Sequence, residues 1–276
     1  MSMVARMFEC PWTTGRLKRL SRHIRDGTSA PTDVPDYREV MVWYNDIAAQ
    51  VQRDITRLDW VPLLNGRPIE VTSRAKTIDT LRQKLLRDRS TPLPSVQDVA
   101  GVRFEAEMSL DEQDAVAQAI AGFYAQPNGC IKDLRQEPHS GYRAVHVWLR
   151  LPVRVEVQVR THLQGAWANA YEAAADTIGR EIRYGVLPKD PAERQIVEGL
   201  QEVSVVHIAE AERARNTLAL DLLRLEELTR TGFRREVRRQ RAMVDRAWDN
   251  LLKDESEVKR QLALIHDQFR AIRAKR

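Results

Sequence analysis

The stretch VEVQVRTHLQGAWANAYE, residues 155–172, passes from one periodic pattern to another. From Val155 to Arg160 it alternates valine with polar side chains, which predicts a β-strand with one apolar and one polar face. The polar face carries Glu156, Gln158 and Arg160. A helical pattern that contains a tryptophan follows. A half-buried antiparallel strand with its polar face in solvent would explain the alternation, and so would a strand that forms the floor of an active site.

Outward from this strand, helical and strand patterns alternate with short connections. Strands are predicted at residues 100–107, 130–135, 143–150 and 153–160, and helices at 36–60, 72–89, 111–126 and 162–183. The helix at 72–89 would turn four apolar residues inward, namely Ile78, Leu81, Leu85 and Leu86. This alternation predicts an α+β fold in which a mixed or antiparallel sheet is flanked by helices.

From Pro191 onward the pattern is almost continuously helical, with a break at Thr231-Gly232. Two long helices that fold back as a hairpin would account for it. The second helix carries apolar residues four and three positions apart, which predicts a seam for packing against another helix. Its members are Val258, Leu262, Ile265, Phe269 and Ile272. The partner of this seam, whether the same domain, a second copy or another protein, stays open.

Composition and charge exclude several classes of protein. Cys10 and Cys130 are the only cysteines, so the sequence supports neither a disulfide framework nor a zinc site, and a metal ion would need carboxylate ligands. No apolar run approaches the ~20 residues that cross a bilayer, and the first thirty residues contain no signal core, which predicts a cytoplasmic protein. The net charge of +5 suits polyanionic partners such as nucleotides or nucleic acid.

Four stretches carry residues suited to nucleotide chemistry: SRAKTIDTLRQK (73–84), QDVAGVRFEAE (97–107), HSGYRAVH (139–146) and the opening strand. The first carries a basic row made of Arg74, Lys76, Arg82 and Lys84. Arg74 and Arg82 are eight residues apart, as are Lys76 and Lys84, so on a helix each pair would recur after about two turns along a face and could grip a triphosphate. A solvated helix face would look the same. Asp98 and Glu156, from different strands, could converge on one Mg²⁺ ion, with Mn²⁺ as an alternative.

The order of these motifs resembles the synthetase domain of the RelA/SpoT family. The matching elements are R-A-K at 74–76 with Lys84, D-x-x-G-x-R at 98–103, G-Y-R-A-x-H at 141–146, and E-x-Q-x-R-T at 156–161 with W-A at 167–168. The resemblance spans about residues 40–185, and no hydrolase region precedes it, so the chain is similar to the small synthetase-only members. We therefore expect a basic N-terminal segment at 1–35, a pyrophosphokinase domain at 36–185 and a C-terminal helical region at 186–276.

The resemblance implies a fold related to nucleotidyltransferases and a reaction in which ATP donates its β,γ-pyrophosphate to a ribose 3′-hydroxyl. Carried over to this sequence, it implies an ATP-binding set of Arg74, Lys76, Arg82, Lys84 and Arg103. Asp98 and Glu156 would hold the metal ion, and Glu156 would also help to remove the proton of the acceptor hydroxyl. Tyr142 would stack on the acceptor base. The rest of the acceptor side would be His139, His146, Gln158 and Arg160.

One loop departs from the family pattern. Members that make guanosine alarmones usually carry P-K-x-N-G-Y, whereas this chain reads E-P-H-S-G-Y at 137–142, with His139 and Ser140 near the places of the lysine and the asparagine. A fixed cation for the acceptor's phosphates and an amide for a guanine edge are both lost. The chain therefore looks more similar to toxic members of the family, which direct the pyrophosphate to the 3′-terminal adenosine of transfer RNA.

Three functions follow from these observations. The first is transfer to transfer RNA, for which basic residues at 16–25 or 234–241 could contact the RNA, although such residues more often form solvated surfaces. The second is the same chemistry on GDP or GTP. The third is an inactive module that binds nucleotide or RNA, which the presence of Lys76, Asp98, Tyr142 and Glu156 disfavours. The resemblance also admits a neutralising antitoxin protein and a homo-oligomer as partners.

Overall fold

The strands and helices of the chain largely follow the predicted alternation. In the computed structural model, which describes residues 9–232 and 234–274, the strands are β1 (Ile69–Ala75), β2 (Ala100–Ala106), β3 (Ile131–Asp133), β4 (Val145–Arg150) and β5 (Arg154–Thr161). The helices are α1 (Thr14–Asp26), α2 (Tyr37–Arg57), α3 (Val61–Leu64), α4 (Ile78–Arg87), α5 (Leu110–Phe123), α6 (His162–Ile178), α7 (Pro191–Glu202), α8 (Ala209–Thr231) and α9 (Arg234–Ala274). A π-helical segment, Val203–Ile208, joins α7 to α8. None of the described helices is long and apolar enough to cross a membrane.

The five strands form one sheet in the order β1-β2-β5-β4-β3. Strands β4 and β5 pair antiparallel, which places His146 opposite Gln158 and Trp148 opposite Glu156. With helices around this sheet and two long helices at the C-terminal end, the predicted α+β fold is confirmed. The sheet therefore brings the polar residues of β5 next to those of β4.

Strand β5 is buried on both faces. Val155, Val157 and Val159 are fully buried, but Glu156 is only 7% exposed and Arg160 only 3%. A half-buried strand with its polar face in solvent is therefore excluded. Polar groups are buried at little cost only when they are hydrogen-bonded within the protein. Glu156 and Arg160 therefore need hydrogen-bond partners within the fold.

The predicted helix at 72–89 is wrong in its first part, because β1 occupies Ile69–Ala75 and α4 begins only at Ile78. Thr77 ends the extended segment and caps the helix, and its side chain accepts a hydrogen bond from the backbone N–H of Thr80. Leu81 and Leu85 are buried as predicted. Ile78 and Leu86, which were expected to point inward, are instead exposed on α4.

The chain divides into two compact units. Unit 1 comprises residues 9–105, 115–132 and 145–159, and unit 2 comprises residues 106–114, 133–144 and 160–274. In unit 1, helix α2 packs on β1, and its apolar residues Val40, Tyr44, Ile47, Val51 and Ile55 are buried. Helix α1 packs on α4 and ends at Asp26, with Gly27 as its C-cap.

Unit 2 contains the C-terminal helices, and its packing identifies the partner of the apolar seam on α9. Leu262 and Phe269 of α9 are buried in one cluster with Leu163 and Trp167 of α6, and Val258 and Ile265 pack on the same cluster. The seam is thus covered by a helix of the same unit, although Ile272 at its end is exposed. Helices α8 and α9 pack on each other as the predicted hairpin around Leu218, Val244 and Leu251.

Candidate active site

Asp98, close before β2, accepts hydrogen bonds from two lysine side chains. The Nζ of Lys76, which follows β1, lies 2.5 Å from its Oδ2, and the Nζ of Lys84, on α4, lies 2.6 Å from its Oδ1. Burial would raise the pKa of this carboxyl, but the two ammonium groups outweigh that effect and hold the pKa below its ordinary value. Asp98 is therefore ionised at neutral pH, and two positive charges and one negative charge meet at this point of unit 1.

Glu156 is the second of the two carboxylates predicted to bind a metal ion, and its neighbours on the sheet hold it from two sides. The Nε2 of Gln158 donates to Oε1 at 2.8 Å, and the Nδ1 of His146, on β4, lies 3.3 Å from Oε2. Burial would raise the pKa of Glu156, but the contacts with His146 and Gln158 lower it below its ordinary value. The buried carboxylate is thus ionised and oriented by an imidazole and an amide.

The two carboxylates influence each other. The negative charge of Asp98 raises the pKa of Glu156, although by less than His146 and Gln158 lower it. Among residues 9–232 and 234–274, no group of three or more His, Cys, Asp or Glu side chains could hold a metal ion. Two carboxylates whose charges interact nevertheless suit Mg²⁺, which commonly takes its other ligands from substrate phosphates and water. The donor set therefore fits a metal ion that is shared with a nucleotide.

Tyr142 lies in the loop of residues 139–144, which we call the GYR loop. Its ring is half-buried and belongs to unit 2. The Nη2 of Arg160 donates to the Tyr142 hydroxyl at 2.9 Å, and the guanidinium carbon lies 5.2 Å from the centre of the ring. Hydrogen bond and cation–π contact together orient the phenol ring. Tyr142 and Arg160, both predicted for the acceptor side, are thus in contact within unit 2.

Gly141 lets the GYR loop approach helix α6 closely. Its φ is +82°, and a Cβ atom at this position would lie 2.9 Å from Cζ2 of Trp167 and 3.1 Å from Cα of Gln201. A side chain would therefore collide with an aromatic ring and with backbone, in a conformation that only glycine adopts readily. Trp167 is itself fixed, because its indole N–H donates to the carbonyl of Leu200 at 2.6 Å. The glycine and the tryptophan of the two motifs therefore form one packing contact.

The basic row predicted on one helix is wrong. Arg74 lies in β1, and its side chain is outside the part that the structure describes. Arg82 is exposed on α4, and its Nε donates to the carbonyl of Arg25 at 3.3 Å, at the end of α1. Since a strand and a loop replace the first turns of the expected helix, an eight-residue repeat does not align these side chains. Lys76 and Lys84 still meet, but they meet at Asp98.

Arg103 and His139 are two further residues that were predicted for the site. Arg103 is half-buried on β2, on the face opposite Val102 and Phe104. His139 is exposed at the start of the GYR loop, where its carbonyl accepts a hydrogen bond from the N–H of Tyr142 at 2.9 Å. The His139 backbone thus closes the turn that presents Tyr142.

Three further residues fix the position of the GYR loop, and two of them could not be recognised from the sequence. Arg143 is buried and forms an ion pair with Glu212, whose carboxylate lies 2.7 Å away. Ser204, in the π-helical segment, donates to the carbonyl of Gly141 at 2.5 Å. Arg143 stood within the quoted G-Y-R motif, but nothing in the helical pattern marked Ser204 or Glu212, since each lies more than fifty residues from its partner in the loop.

Comparisons with known proteins agree with this arrangement of motifs. Residues 73–176 match the family model described as a region found in RelA / SpoT proteins. Two uncharacterized proteins, Rv1366 of Mycobacterium tuberculosis and Mb1401 of Mycobacterium bovis, are each 47% identical to this chain over 206 residues, which is 74% of this chain and 74% of theirs.

Solved structures of lower similarity were also found. The small alarmone synthetase 2 from Bacillus subtilis gives a TM-score of 0.49 at 19% identity, and the match covers 65% of this chain and 95% of that chain. A GTP pyrophosphokinase family protein from Streptococcus pneumoniae gives a TM-score of 0.40 at 16% identity, over 70% of this chain and 94% of that chain.

The matched region of the family model contains the lysines around Asp98, the GYR loop and the polar residues of β5. A relative of 47% identity extends the similarity over most of the chain. The chain belongs to the RelA/SpoT family of pyrophosphokinases.

Proposed function

We propose that the protein transfers the β,γ-pyrophosphate of ATP to the 3′-hydroxyl of the terminal adenosine of transfer RNA. The observation that carries this choice of acceptor is that the cation of the GYR loop, Arg143, is already paired with an acid. Arg143 is the only lysine or arginine of residues 136–144, and it is buried and paired with Glu212 at 2.7 Å. A free guanosine diphosphate or triphosphate needs a cation for its 5′-phosphates, whereas an adenosine at the end of an RNA chain does not.

On the ATP side, Lys76 and Lys84 would exchange Asp98 for phosphate oxygens. Their ammonium groups outnumber the single carboxylate that they share, so they can neutralise a triphosphate at the same place. Asp98 and Glu156 would then hold Mg²⁺ or Mn²⁺, which supplies further positive charge next to the transferred group. Arg103 and the side chains of Arg74 and Arg82 would complete the ATP contacts.

On the acceptor side, Glu156 would take the proton of the 3′-hydroxyl, and Tyr142 would stack on the last base. His146 and Gln158 support this role because they hold Glu156 through both of its oxygens. Arg160 supports it by holding the Tyr142 hydroxyl. His139 stands exposed at the start of the same loop and would border the acceptor. These side chains would thus provide positioning and charge neutralisation, the main sources of rate in phosphoryl-type transfer.

Contacts to the body of an RNA would come from the beginning of α9. Five arginines lie there within eight residues and are all exposed, namely Arg234, Arg235, Arg238, Arg239 and Arg241. Within the described part of the chain, none of the five forms an ion pair or hydrogen bond. The basic residues of α1 are less available, because Arg19 and Arg25 pair with acids and Arg16 bonds to a carbonyl. Unpaired arginines are suited to phosphates along an RNA backbone.

The acceptor is tested by incubating the purified protein with ATP labelled in its γ-phosphate and with transfer RNA, GDP or GTP in separate reactions. We expect label on transfer RNA and none on RNA whose terminal 3′-hydroxyl has been oxidised by periodate. Label on GDP or GTP alone would replace the proposed acceptor by a guanosine nucleotide. Label on no acceptor would favour an inactive binding module.

Replacement of Tyr142 by alanine should weaken binding of the acceptor and leave ATP binding almost unchanged. Stacking of a base on an aromatic ring contributes about 1–3 kcal/mol, so the KM for the acceptor should rise roughly 5- to 150-fold. Tyr142→Phe is the matched control, since it keeps the ring and loses only the hydroxyl that Arg160 contacts. An equal rise in the KM for ATP in Tyr142→Ala would contradict the proposed stacking.

A further inference from the structure

We infer that Glu212, at the start of α8, is a positioning residue that holds the acceptor-binding segments of unit 2 in their working arrangement. The inference rests on the proposed function, because it assigns the C-terminal helices a part in acceptor binding. It goes beyond that function in naming a residue outside every motif of the family resemblance.

Glu212 is in contact with three side chains of unit 2, through two hydrogen bonds and one ion pair. Its side chain is buried, with 2% of the residue exposed. One carboxylate oxygen accepts hydrogen bonds from the hydroxyl of Thr161 at 2.7 Å and from Nε2 of Gln164 at 2.8 Å. The other oxygen lies 2.7 Å from Nη1 of Arg143. One oxygen thus accepts two hydrogen bonds, and the other makes a charge contact without an aligned hydrogen bond, in each case with groups that lie far away in the sequence.

Two of these partners, Arg143 and Thr161, are the direct chain neighbours of the two side chains that contact each other at the proposed acceptor position. Arg143 follows Tyr142, and Thr161 follows Arg160, whose guanidinium donates to the Tyr142 hydroxyl. One buried carboxylate thus ties the segment that carries the ring to the segment that carries its cation. Removal of the charge would leave Arg143 buried without a counter-ion, which is costly in a protein interior.

A second set of hydrogen bonds connects the GYR loop to the segment between α7 and α8. The hydroxyl of Ser204 donates to the carbonyl of Gly141, and Nη1 of Arg143 lies 3.4 Å from the carbonyl of Ser204. Ser204 lies in a π-helical turn, Val203–Ile208, a geometry that is rare and often found at functional sites. The loop is therefore held on both sides of Tyr142 by residues that follow the matched family region.

The test compares two buried glutamates of unit 2, each paired with an arginine. Glu212→Gln removes the charge that faces the GYR loop. Glu255→Gln is the matched control, because Glu255 is 5% exposed and forms a two-pronged ion pair with Arg215 at 2.8 and 2.6 Å. Among the described residues, the Glu255 carboxylate accepts its hydrogen bonds from Arg215 and not from the loop or Thr161, so its loss should destabilise unit 2 with little effect on the acceptor segments.

In Glu212→Gln we expect the KM for transfer RNA to rise by about tenfold or more, as when the binding-competent form falls to roughly one tenth of the population. The KM for ATP should change less than about twofold. Hydrogen exchange of the peptide spanning residues 139–144 should accelerate in this variant. The melting temperature should fall by similar amounts in Glu212→Gln and Glu255→Gln. In Glu255→Gln, both KM values and the hydrogen exchange of the loop should stay unchanged.

Equal behaviour of the two variants would overturn the inference, since Glu212 would then contribute only to stability. If Glu212→Gln does not fold, Ser204→Ala serves instead, because it deletes one hydroxyl from the same loop contact and should raise the acceptor KM several-fold by the same population argument. The exchange measurement separates the two hypotheses. A wild-type protein that labels no acceptor, but whose loop loosens only in Glu212→Gln, would refute the proposed function and keep the positioning role.

Discussion

Glu156→Gln should lower kcat for pyrophosphate transfer by more than about 10³-fold, the largest loss expected from any single substitution in this chain. A general base contributes about 10²- to 10⁴-fold, and the same change also removes one of the two proposed metal ligands. Glutamine keeps the size of the side chain and can still accept from Gln158, so the sheet should remain intact. The rate is measured with ATP labelled in its γ-phosphate under single-turnover conditions.

The control for this substitution is Glu70→Gln, the same chemical change on an exposed position of β1. It should leave kcat within about twofold of the wild type, as surface changes usually do. A residual rate above one tenth of the wild type in Glu156→Gln would contradict the assigned role.

The pH dependence of the reaction follows from the lowered pKa of Glu156. Its ordinary value is 4.5, and the contacts with His146 and Gln158 hold the folded-state pKa below that. A carboxylate of this kind is already ionised at neutral pH, so it can accept a proton there without first losing one. Any fall in kcat between pH 8 and 6 would therefore have to arise from another group.

Asp98→Asn should lower kcat/KM for ATP by about 10²-fold or more, since charge stabilisation by a catalytic metal ion is worth several kcal/mol. The same substitution leaves Lys76 and Lys84 facing each other without the carboxylate that now separates their charges. The KM for metal, measured by titration with Mg²⁺ at saturating ATP, should rise together with the KM for ATP. Asp79→Asn, an exposed position on α4, is the control and should change neither value.

Stability should also depend on pH through Asp98. Its folded-state pKa lies below the ordinary value of 3.8, so its ion pairs contribute fully above about pH 4 and are lost as the pH falls through the lowered pKa. The free energy of unfolding of the wild type should exceed that of Asp98→Asn by a constant amount between pH 8 and 5. That difference should disappear in stronger acid, and a difference that persisted there would contradict the ion-pair assignment.

The sequence indicated the sheet and the helices because alternation in β5 and the apolar stripe of α2 are strong local patterns. The prediction was wrong at β1, where a short strand leads directly into a capped helix. The apolar spacing that begins at Ile78 was extended too far toward the N-terminus. Motif order indicated Asp98, Tyr142 and Glu156 through the family resemblance. The contact between Arg160 and Tyr142 could not be predicted, since it depends on how a loop and a strand end meet in space.

Glu212 could not be predicted at all. A glutamate in an amphipathic helix is usually solvent-exposed, and burial of one is rare unless it is paired. Its partners lie 51 residues away at Thr161 and in the loop near Arg143, so no local pattern connects them. Long-range polar contacts of this kind become visible only in three dimensions.

The two lysines on Asp98 bear on the order in which ligands would bind. A free divalent cation that approaches this carboxylate meets two ammonium groups and is repelled, whereas an ATP molecule that already carries its counter-ion brings an excess of negative charge and is attracted. Calorimetric titration with Mg²⁺ alone should accordingly show little heat, and uptake of the ion should begin when a triphosphate is added.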